Sequence, residues 1–411
     1  MSNVYVIGVG MTPFGKFLDT SIKELARTAV TAALVDAGVR QSEIGAAFYA
    51  NTVQGVLEGQ YMVGGQVALR SMGFQGIPIA NVENACASAS TAFHLAHAQI
   101  RAGITDIALA VGVEKMFNAD KAKTNSVFDG AWDIYDVDNT RRSLMRLGEG
   151  VEPAPDRAER GGVRSIFMDL YASLAKYHMK RFGTTERQLA AVAAKNHRHS
   201  TMNELSQYRM DMSIDEVLNA RMIAWPLTLP MCAPISDGAA AAVLCSEEAL
   251  RRLGAERAIK VCASVLACGS DRRADEVDRH LCHIAARKAY EQAGVGPHDM
   301  SVAEVHDASA FAEIIQSENL GFCEFGQGGW IAERGETALG GRIPINPSGG
   351  LESKGHPIGA TGLGQIFELV TQLRGTVGAR QVEGARFAIA ENGGGFYGVE
   401  EAAACITILG R

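Results

Sequence analysis

A lone cysteine, Cys86, stands in the stretch VENACASASTAFHLAHAQI, residues 82–100. Behind it Ala89, Phe93, Ala96 and Ile100 recur at the spacing of one helical stripe, so the pattern predicts an α-helix that starts near Cys86 instead of running through it. A thiol at a helix start meets free backbone N–H groups and the positive end of the macrodipole, which commonly lower a cysteine pKa from about 8.5 into the ~3.5–7.5 range. That is the setting of a nucleophile; the alternative is a small residue packed beneath the helix. His356 lies in NPSGGLESKGHPIGATG (346–362), a glycine-rich loop followed by the helical stripe Leu363, Ile366, Phe367, Val370 and Leu373. Glycines permit close approach of another group, which makes His356 a candidate base; a histidine that satisfies loop carbonyls is the alternative. His306, in EVHDASAFAEI, falls at a predicted strand end, where ligands collect in α/β sheets. AENGGGFYG (390–398) offers one more strand-end turn, whose amides can receive an oxyanion.

The elements that must position these residues alternate. VYVIGVG (4–10), a helix over 21–38, AAFYANTV (46–53), the Cys86 helix and DIALAVGVE (106–114) read as an α/β unit. The unit returns. AALVDAGVRQSEIGAAFYAN (32–51) lines up without gaps on KAYEQAGVGPHDMSVAEVHD (288–307), placing Ala50-Asn51 opposite His306-Asp307. TDIALAVG (105–112) has a similar counterpart in ARFAIAEN (385–392). Two duplicated α/β halves follow, in the ranges 1–114 with 231–265 and 266–411. Residues 115–230 differ in texture, with charged and Met-rich stretches such as 138–164 and helical runs near 166–182 and 187–198. They read as an insertion that leaves and re-enters the first half, the kind that commonly forms a lid or a substrate-binding surface.

Composition narrows the partners. At 411 residues, 47% hydrophobic and 21% charged, the chain is that of a globular protein with more than one core. A net charge of −7 without a basic stretch interleaved with aromatics disfavours nucleic acid and favours a small-molecule substrate. The N-terminus shows no signal-peptide pattern and no stretch reaches ~18 uninterrupted apolar residues, so a cytoplasmic location with no membrane span is expected. Eight cysteines without C-x-x-C pairs suggest reduced thiols and no zinc site; His280, Cys282 and His283 are expected on a solvated helix face.

Taken jointly and in order, the cysteine of NACASAS, the strand-end His306-Asp307, the GHPIGATG loop and the C-terminal glycine turn resemble the thiolase superfamily over essentially all 411 residues. The His-Asp-Ala opening of the second motif is closer to the sterol-carrier-protein/lipid-transfer type. The resemblance implies a thiolase fold, duplicated βαβαβ halves in a five-layered α-β-α-β-α core with an inserted loop domain. It implies that Cys86 attacks the β-keto carbonyl of a 3-oxoacyl-CoA, that His356 activates the thiol, and that His306 or a water it holds stabilises the enolate. The amides of Cys86 and Gly394 would form an oxyanion hole. Coenzyme A would be co-substrate, with no bound cofactor. Two departures stand out. Where such enzymes carry a second cysteine before the last glycine turn, this chain has Asn392, or Glu391 with a one-residue slip; after His-Asp it has Ala308, and Cys323 is the nearby thiol that could substitute. The same resemblance implies a homodimer acting with a small zinc-ribbon/OB-fold subunit on a bulky or aromatic acyl-CoA, such as 2-benzoylsuccinyl-CoA. A retro-aldolase acting on a β-hydroxyacyl-CoA and an inactive acyl-CoA or lipid carrier are the alternatives.

Overall fold

A computed structural model of the chain describes residues 3–154, 157 and 165–411; the rest of the charged stretch 138–164, namely 155–156 and 158–164, lies outside them. The first half supplies strands β1 (Val4–Met11), β2 (Ala46–Ala50), β3 (Ile79–Val82) and β4 (Ile107–Glu114). A small hairpin, β5 (Met222–Ala224) with β6 (Leu227–Thr228), belongs to the insertion. The chain then returns through β7 (Gly238–Ser246), β8 (Ile259–Cys268), β9 (Val302–Glu304), β10 (Phe387–Gly394) and β11 (Ala403–Gly410). Nine strands form one mixed sheet in the order β3-β2-β4-β7-β1-β8-β11-β10-β9.

Five layers arise from how the strands divide their faces. Runs such as IALAVGVE and GAAAAVLCS are apolar on both sides, the signature of strands covered twice. Leu109, Val111, Ala241 and Val243 turn to α1 (Ile22–Ala37). Their neighbours Ala108, Ala110, Ala240 and Ala242 turn to α2 (Ser88–Arg101) and α7 (Thr361–Arg374), because side chains alternate across a strand. In the second half Val265, Ile389, Ile406 and Ile408 face α5 (Leu281–Ala293), while Ala388, Ala390 and Leu409 join the core of α2 and α7. The α2/α7 pair is thus the middle layer, with a sheet half on each side. The stripe Ala89, Phe93, Ala96 and Ile100 is fully buried there, and each large apolar side chain so buried contributes about 1.5–3 kcal/mol. Gly8 and Gly10 let α1 lie against β1: a Cβ at either would stand 2.2 Å from a backbone oxygen of Ala33 or Ala29.

The duplication is visible in register. Gly38 and Gly294, 256 residues apart, both cap their helices in the left-handed conformation, at φ 66° and 70°. Ala47 pairs with Ile79 in parallel, and Ala303, again 256 residues on, pairs with Ile345; but here the fifth strand has shrunk to a single bridge. β8 pairs with β11 over eight residues and with β1 over two, a narrow seam joining the halves. Within the insertion, α3 (Ile166–Phe182) and α4 (Glu186–Ser200) pack not on the first half but on α6 (Ala310–Asn319), Leu351 and Phe396 of the second. That packing buries the His356 loop. Among the described residues, no helix is long and apolar enough to cross a membrane.

Candidate active site

Cys86 sits in a tight turn between β3 and α2, two positions before the first helical residue Ser88. Ala85 ahead of it takes φ 47°, a left-handed conformation that side chains avoid and that persists where surroundings impose it. Those surroundings are hydrogen bonds: Glu83 Oε1 accepts from Ala85 N at 2.6 Å, Ser88 Oγ donates to Ala85 O at 2.6 Å, and Asn84 N donates to Ser88 Oγ at 2.8 Å. The turn aims the thiol at the end of β10. There the amide directed at Sγ belongs to Gly395, together with that of Cys86 itself. Gly394, which the sequence suggested for this place, is still paired with Ala403 inside the strand and packs within 2.6 Å of Ala87 N at its Cβ position; the chain turns only at Gly395, at φ 64°.

His306 and His356 meet at the sulfur. Their rings stand edge to face at 5.1 Å, and Cys86 Sγ and one ring nitrogen from each lie within 4.8 Å of one another. Their hydrogen bonds assign different tautomers. Ser90 Oγ donates to Asn392 Oδ1 at 2.8 Å, so Asn392 Nδ2 donates to His306 Nδ1 at 3.0 Å, and His306 carries its proton on Nε2. Thr361 Oγ1 donates to Pro357 O at 3.0 Å, so it accepts from His356 Nδ1 at 2.7 Å and leaves the His356 Nε2 lone pair free. One histidine therefore presents an N–H and the other a lone pair. Asn392 touches the His306 ring, whereas Glu391 accepts the His306 backbone N–H at 2.8 Å.

Burial sets the charge state. It pushes the Cys86 thiol up to about 12, against the downward pull of the Gly395 and Cys86 amides. The helix end was expected to lower this value; the amides do pull it down, and desolvation of the anion pushes it up by more. Burial also holds His306 down at about 4, and burial with the nearby His306 holds His356 well below its ordinary range. These shifts favour an uncharged thiol beside two uncharged imidazoles at neutral pH.

The loop around His356 is buried throughout 346–360. Ser236 Oγ accepts from His356 N at 2.8 Å, and Glu114 clamps the far end, accepting from Gly359 N at 3.0 Å and Thr52 N at 3.0 Å. Ser236, Glu114, Ser90 and Thr361 are the positioning groups that the sequence reading missed. Each lies far from its partner in sequence or owes its role to one hydrogen bond.

The three reactive side chains share the floor of a cavity of about 880 Å³, within the range of small-molecule sites. Its walls are largely apolar, and the insertion supplies Met116, Phe128, Phe167, Met168 and Tyr171. Phe167 and Phe396 face each other at 5.8 Å, with Phe128 and Tyr171 at 6.0 and 5.6 Å from them. Arg209 and Arg221 also line it. Ala308 is in the wall, whereas Cys323 is not, and burial raises that thiol to about 12. His280 and Cys282, expected on a solvated face, are 4% and 0% exposed and gather with Glu401 into a cluster of metal-ligand type. The hydrogen bonds oppose a metal there: His280 Nδ1 accepts from Cys282 N and Asn319 Nδ2, both at 3.2 Å, which leaves the proton on Nε2 facing Glu401 Oε2 at 3.6 Å. Burial of this kind occurs because Arg272 and Glu400, paired at 2.6 Å, strap the start of α5.

Comparison with known proteins agrees with this geometry. Residues 4–215 match the family model "Thiolase, N-terminal domain" and residues 270–411 "Thiolase C-terminal domain-like". The chain is 37% identical over 400 residues to an acetyl-CoA acetyltransferase of Methanothermobacter thermautotrophicus, covering 96% of this chain and 97% of that one. It is 37% identical to sterol carrier protein 2 of Bos taurus, over 95% of this chain and 70% of the relative. It is 34% identical to the benzoylsuccinyl-CoA thiolase subunit BbsB of Thauera aromatica, over 92% and 91%. Among solved structures, an Ltp2-ChsH2(DUF35) aldolase superposes with a TM-score of 0.74 at 20% identity, covering 99% of this chain and 97% of that one, a likeness of fold.

Proposed function

Because this chain belongs to the thiolase family of acyltransferases, we propose that it cleaves a 3-oxoacyl-CoA with coenzyme A through an acyl-enzyme on Cys86. One observation carries the reading: thiol, lone-pair imidazole and N–H imidazole converge within 4.8 Å at the floor of an acyl-sized cavity. His356 Nε2 takes the thiol proton as Sγ attacks the keto carbon. The Gly395 and Cys86 amides, already turned to the sulfur, are placed to receive the oxyanion of that adduct. C–C cleavage then releases a thioester enolate, whose oxygen His306 Nε2–H is oriented to hold, with Asn392 fixing the tautomer. Coenzyme A thiol collects the acyl group in the second half-reaction.

The aromatic wall of Phe128, Phe167, Tyr171 and Phe396 supports a bulky or aromatic acyl group, and the likeness to a benzoylsuccinyl-CoA thiolase subunit supports the same class. That relative is named as a subunit and the structural neighbour is named with a DUF35 protein, which supports a small zinc-ribbon/OB-fold partner beside a homodimeric core. Eight unpaired thiols suit a reducing, cytoplasmic setting. Incubation with a 3-oxoacyl-CoA in the absence of free coenzyme A should leave an acyl adduct on Cys86, seen by intact-protein mass spectrometry and missing in Cys86→Ala. An unmodified enzyme that nevertheless cleaves a β-hydroxyacyl-CoA would make it an aldolase instead. Size-exclusion chromatography with light scattering, alone and with the co-expressed partner, tests the assembly; full activity that gains nothing from the partner removes that part.

A further inference from the structure

Ala308 and Asn392 stand where the family resemblance put a second thiol to handle the proton that thiolysis moves to and from carbon, and Cys232, a thiol in the cavity wall, is engaged elsewhere, donating to Thr228 O at 3.4 Å. A different group in the cavity wall has the attributes of that acid. Glu352 lines the cavity together with Ala308, His356 and Cys232, yet the residue is 1% exposed. It lies in a single π-helical turn, Gly350–Lys354, which ends two residues before His356; such turns concentrate at functional sites. Its Oε2 accepts from Asn196 Nδ2 at 3.2 Å, while Oε1 is buried with no hydrogen-bond partner among the described residues.

The neighbours of that carboxyl explain its form. The one Asn196 amino group also reaches Asp307 Oδ2 at 3.0 Å and Glu313 Oε2 at 3.1 Å, so two N–H protons serve three carboxyl groups. One ammonium, Lys195, pairs with Glu313 at 2.6 Å; Lys354 is engaged by Glu304 at 3.0 Å. Among the described residues these three buried carboxyl groups share one ammonium, already paired with Glu313, and a further uncompensated anion beside it would bear its full desolvation cost. Burial, then Asp307 and Glu313, drive Glu352 well above the ordinary carboxyl range. A buried carboxyl oxygen with no acceptor or donor among the described residues, in the wall of the cavity, is placed to exchange a proton with what the cavity holds.

We propose that the Glu352 carboxyl, anchored by Asn196 through Oε2, is the catalytic acid and base whose Oε1 exchanges a proton with the α-carbon of the departing acyl-CoA and with the incoming coenzyme A thiol. This rests on the acyl-enzyme reading above. As the C–C bond breaks, its electron pair becomes the thioester enolate. The Glu352 O–H breaks, the proton forms the new C–H bond, and a carboxylate remains beside acyl-Cys86 and protonated His356. Coenzyme A then gives its S–H proton to that carboxylate and attacks the thioester; the Cys86 sulfur leaves with its bonding pair and recovers its proton from His356. All groups return to their starting state.

The test uses the full chain, with acetoacetyl-CoA and benzoylacetyl-CoA as 3-oxoacyl probes and free coenzyme A. Glu352→Gln, which keeps shape and removes the acid, should lower kcat by about 10²–10⁴, the range for losing a general acid–base. Alkylation of Cys86 by iodoacetamide should stay within twofold, because the Cys86–His356 pair is untouched. Glu352→Asp should recover at least tenfold over Glu352→Gln. Should the glutamine variant not fold, Glu352→Met, similar in length and apolar, gives the same reading. Turnover of Glu352→Gln within threefold of wild type overturns the assignment, as does a parallel fall of turnover and Cys86 alkylation without recovery by aspartate, which marks a purely structural role. If wild-type Cys86 takes no acyl group from either probe, the acyl-enzyme reading fails and this assignment with it; normal acylation with an active glutamine variant removes Glu352 alone.

Discussion

Replacing Thr361 by valine should silence the base without touching it. The Thr361 hydroxyl accepts the His356 Nδ1–H at 2.7 Å and donates to Pro357 O at 3.0 Å. Pro357 O also receives the amides of Ala360 at 2.8 Å and Thr361 at 3.0 Å, so losing the hydroxyl leaves that carbonyl satisfied. The deficit falls on His356 Nδ1–H, and a buried donor stripped of its acceptor costs about 1–3 kcal/mol. The ring escapes that cost by moving its proton to Nε2, the nitrogen needed as base. At a factor of ten per ~1.4 kcal/mol, the competent tautomer falls about 5–150-fold, and the rate with it. The second-order rate of Cys86 alkylation by iodoacetamide reads the base directly, and thiolysis turnover should fall in parallel. Thr361→Ser, which keeps the hydroxyl, should stay within threefold. Alkylation of the valine variant within twofold of wild type would refute the assignment of the His356 tautomer.

Asn392→Asp should invert the other imidazole. An aspartate can only accept, which forces the His306 proton onto Nδ1 and strips Nε2 of its donor; turnover should drop about 10²–10³-fold, as for loss of one oxyanion-type donor, while Cys86 alkylation changes less than threefold. Stability should follow two opposed sets of buried groups. Glu391, Glu114 and Glu401 are raised by burial to about 8, 7 and 6 from 4.5, so the folded chain retains protons that the unfolded chain releases, and their contribution is lost as pH rises through that range. His306 and His97, lowered by burial to about 4 from 6.5, contribute fully above 6.5 and lose that contribution as pH falls toward 4. The melting temperature should therefore fall from pH 6.5 to 8.5, less steeply in Glu391→Gln; a flat profile in both contradicts the carboxyl assignments.

What could be read from sequence was what neighbouring residues determine. Cys86 before an apolar stripe, His306 at a strand end and His356 before a helix are local patterns, and the structure brings all three together. The 256-residue repeat was legible for the same reason, since Gly38 and Gly294 close equivalent helices. Failures came where distance in sequence mattered. Whether Gly394 or Gly395 turns its amide to the thiol depends on how long β10 stays paired with β11. The charge state of Cys86 depends on how much protein covers it, a quantity no helix-end argument contains. How deeply the His356 loop is buried depends on segments distant in sequence, since α3 and α4 of the insertion and α6 of the second half cover it. Glu352 carried no local signal at all, because its neighbours Asn196, Asp307 and Glu313 arrive from three other segments.

The shrunken fifth strand of the second half has an outcome at the scale of copies. The outer side of β9 is sealed, with Ala303 N donating to Pro344 O at 3.0 Å and Asn346 N to Ala303 O at 2.8 Å. At the opposite end β3 is the terminal strand, and its Ala80 and Asn81 are exposed. The sheet thus has a valence of one. A molecule that offers a backbone ladder at both ends can add neighbours without limit, as fibres do. Among the described residues this sheet offers one unpaired terminal strand, β3, so an edge-to-edge contact through it would consume that terminus and growth by that route would stop at two.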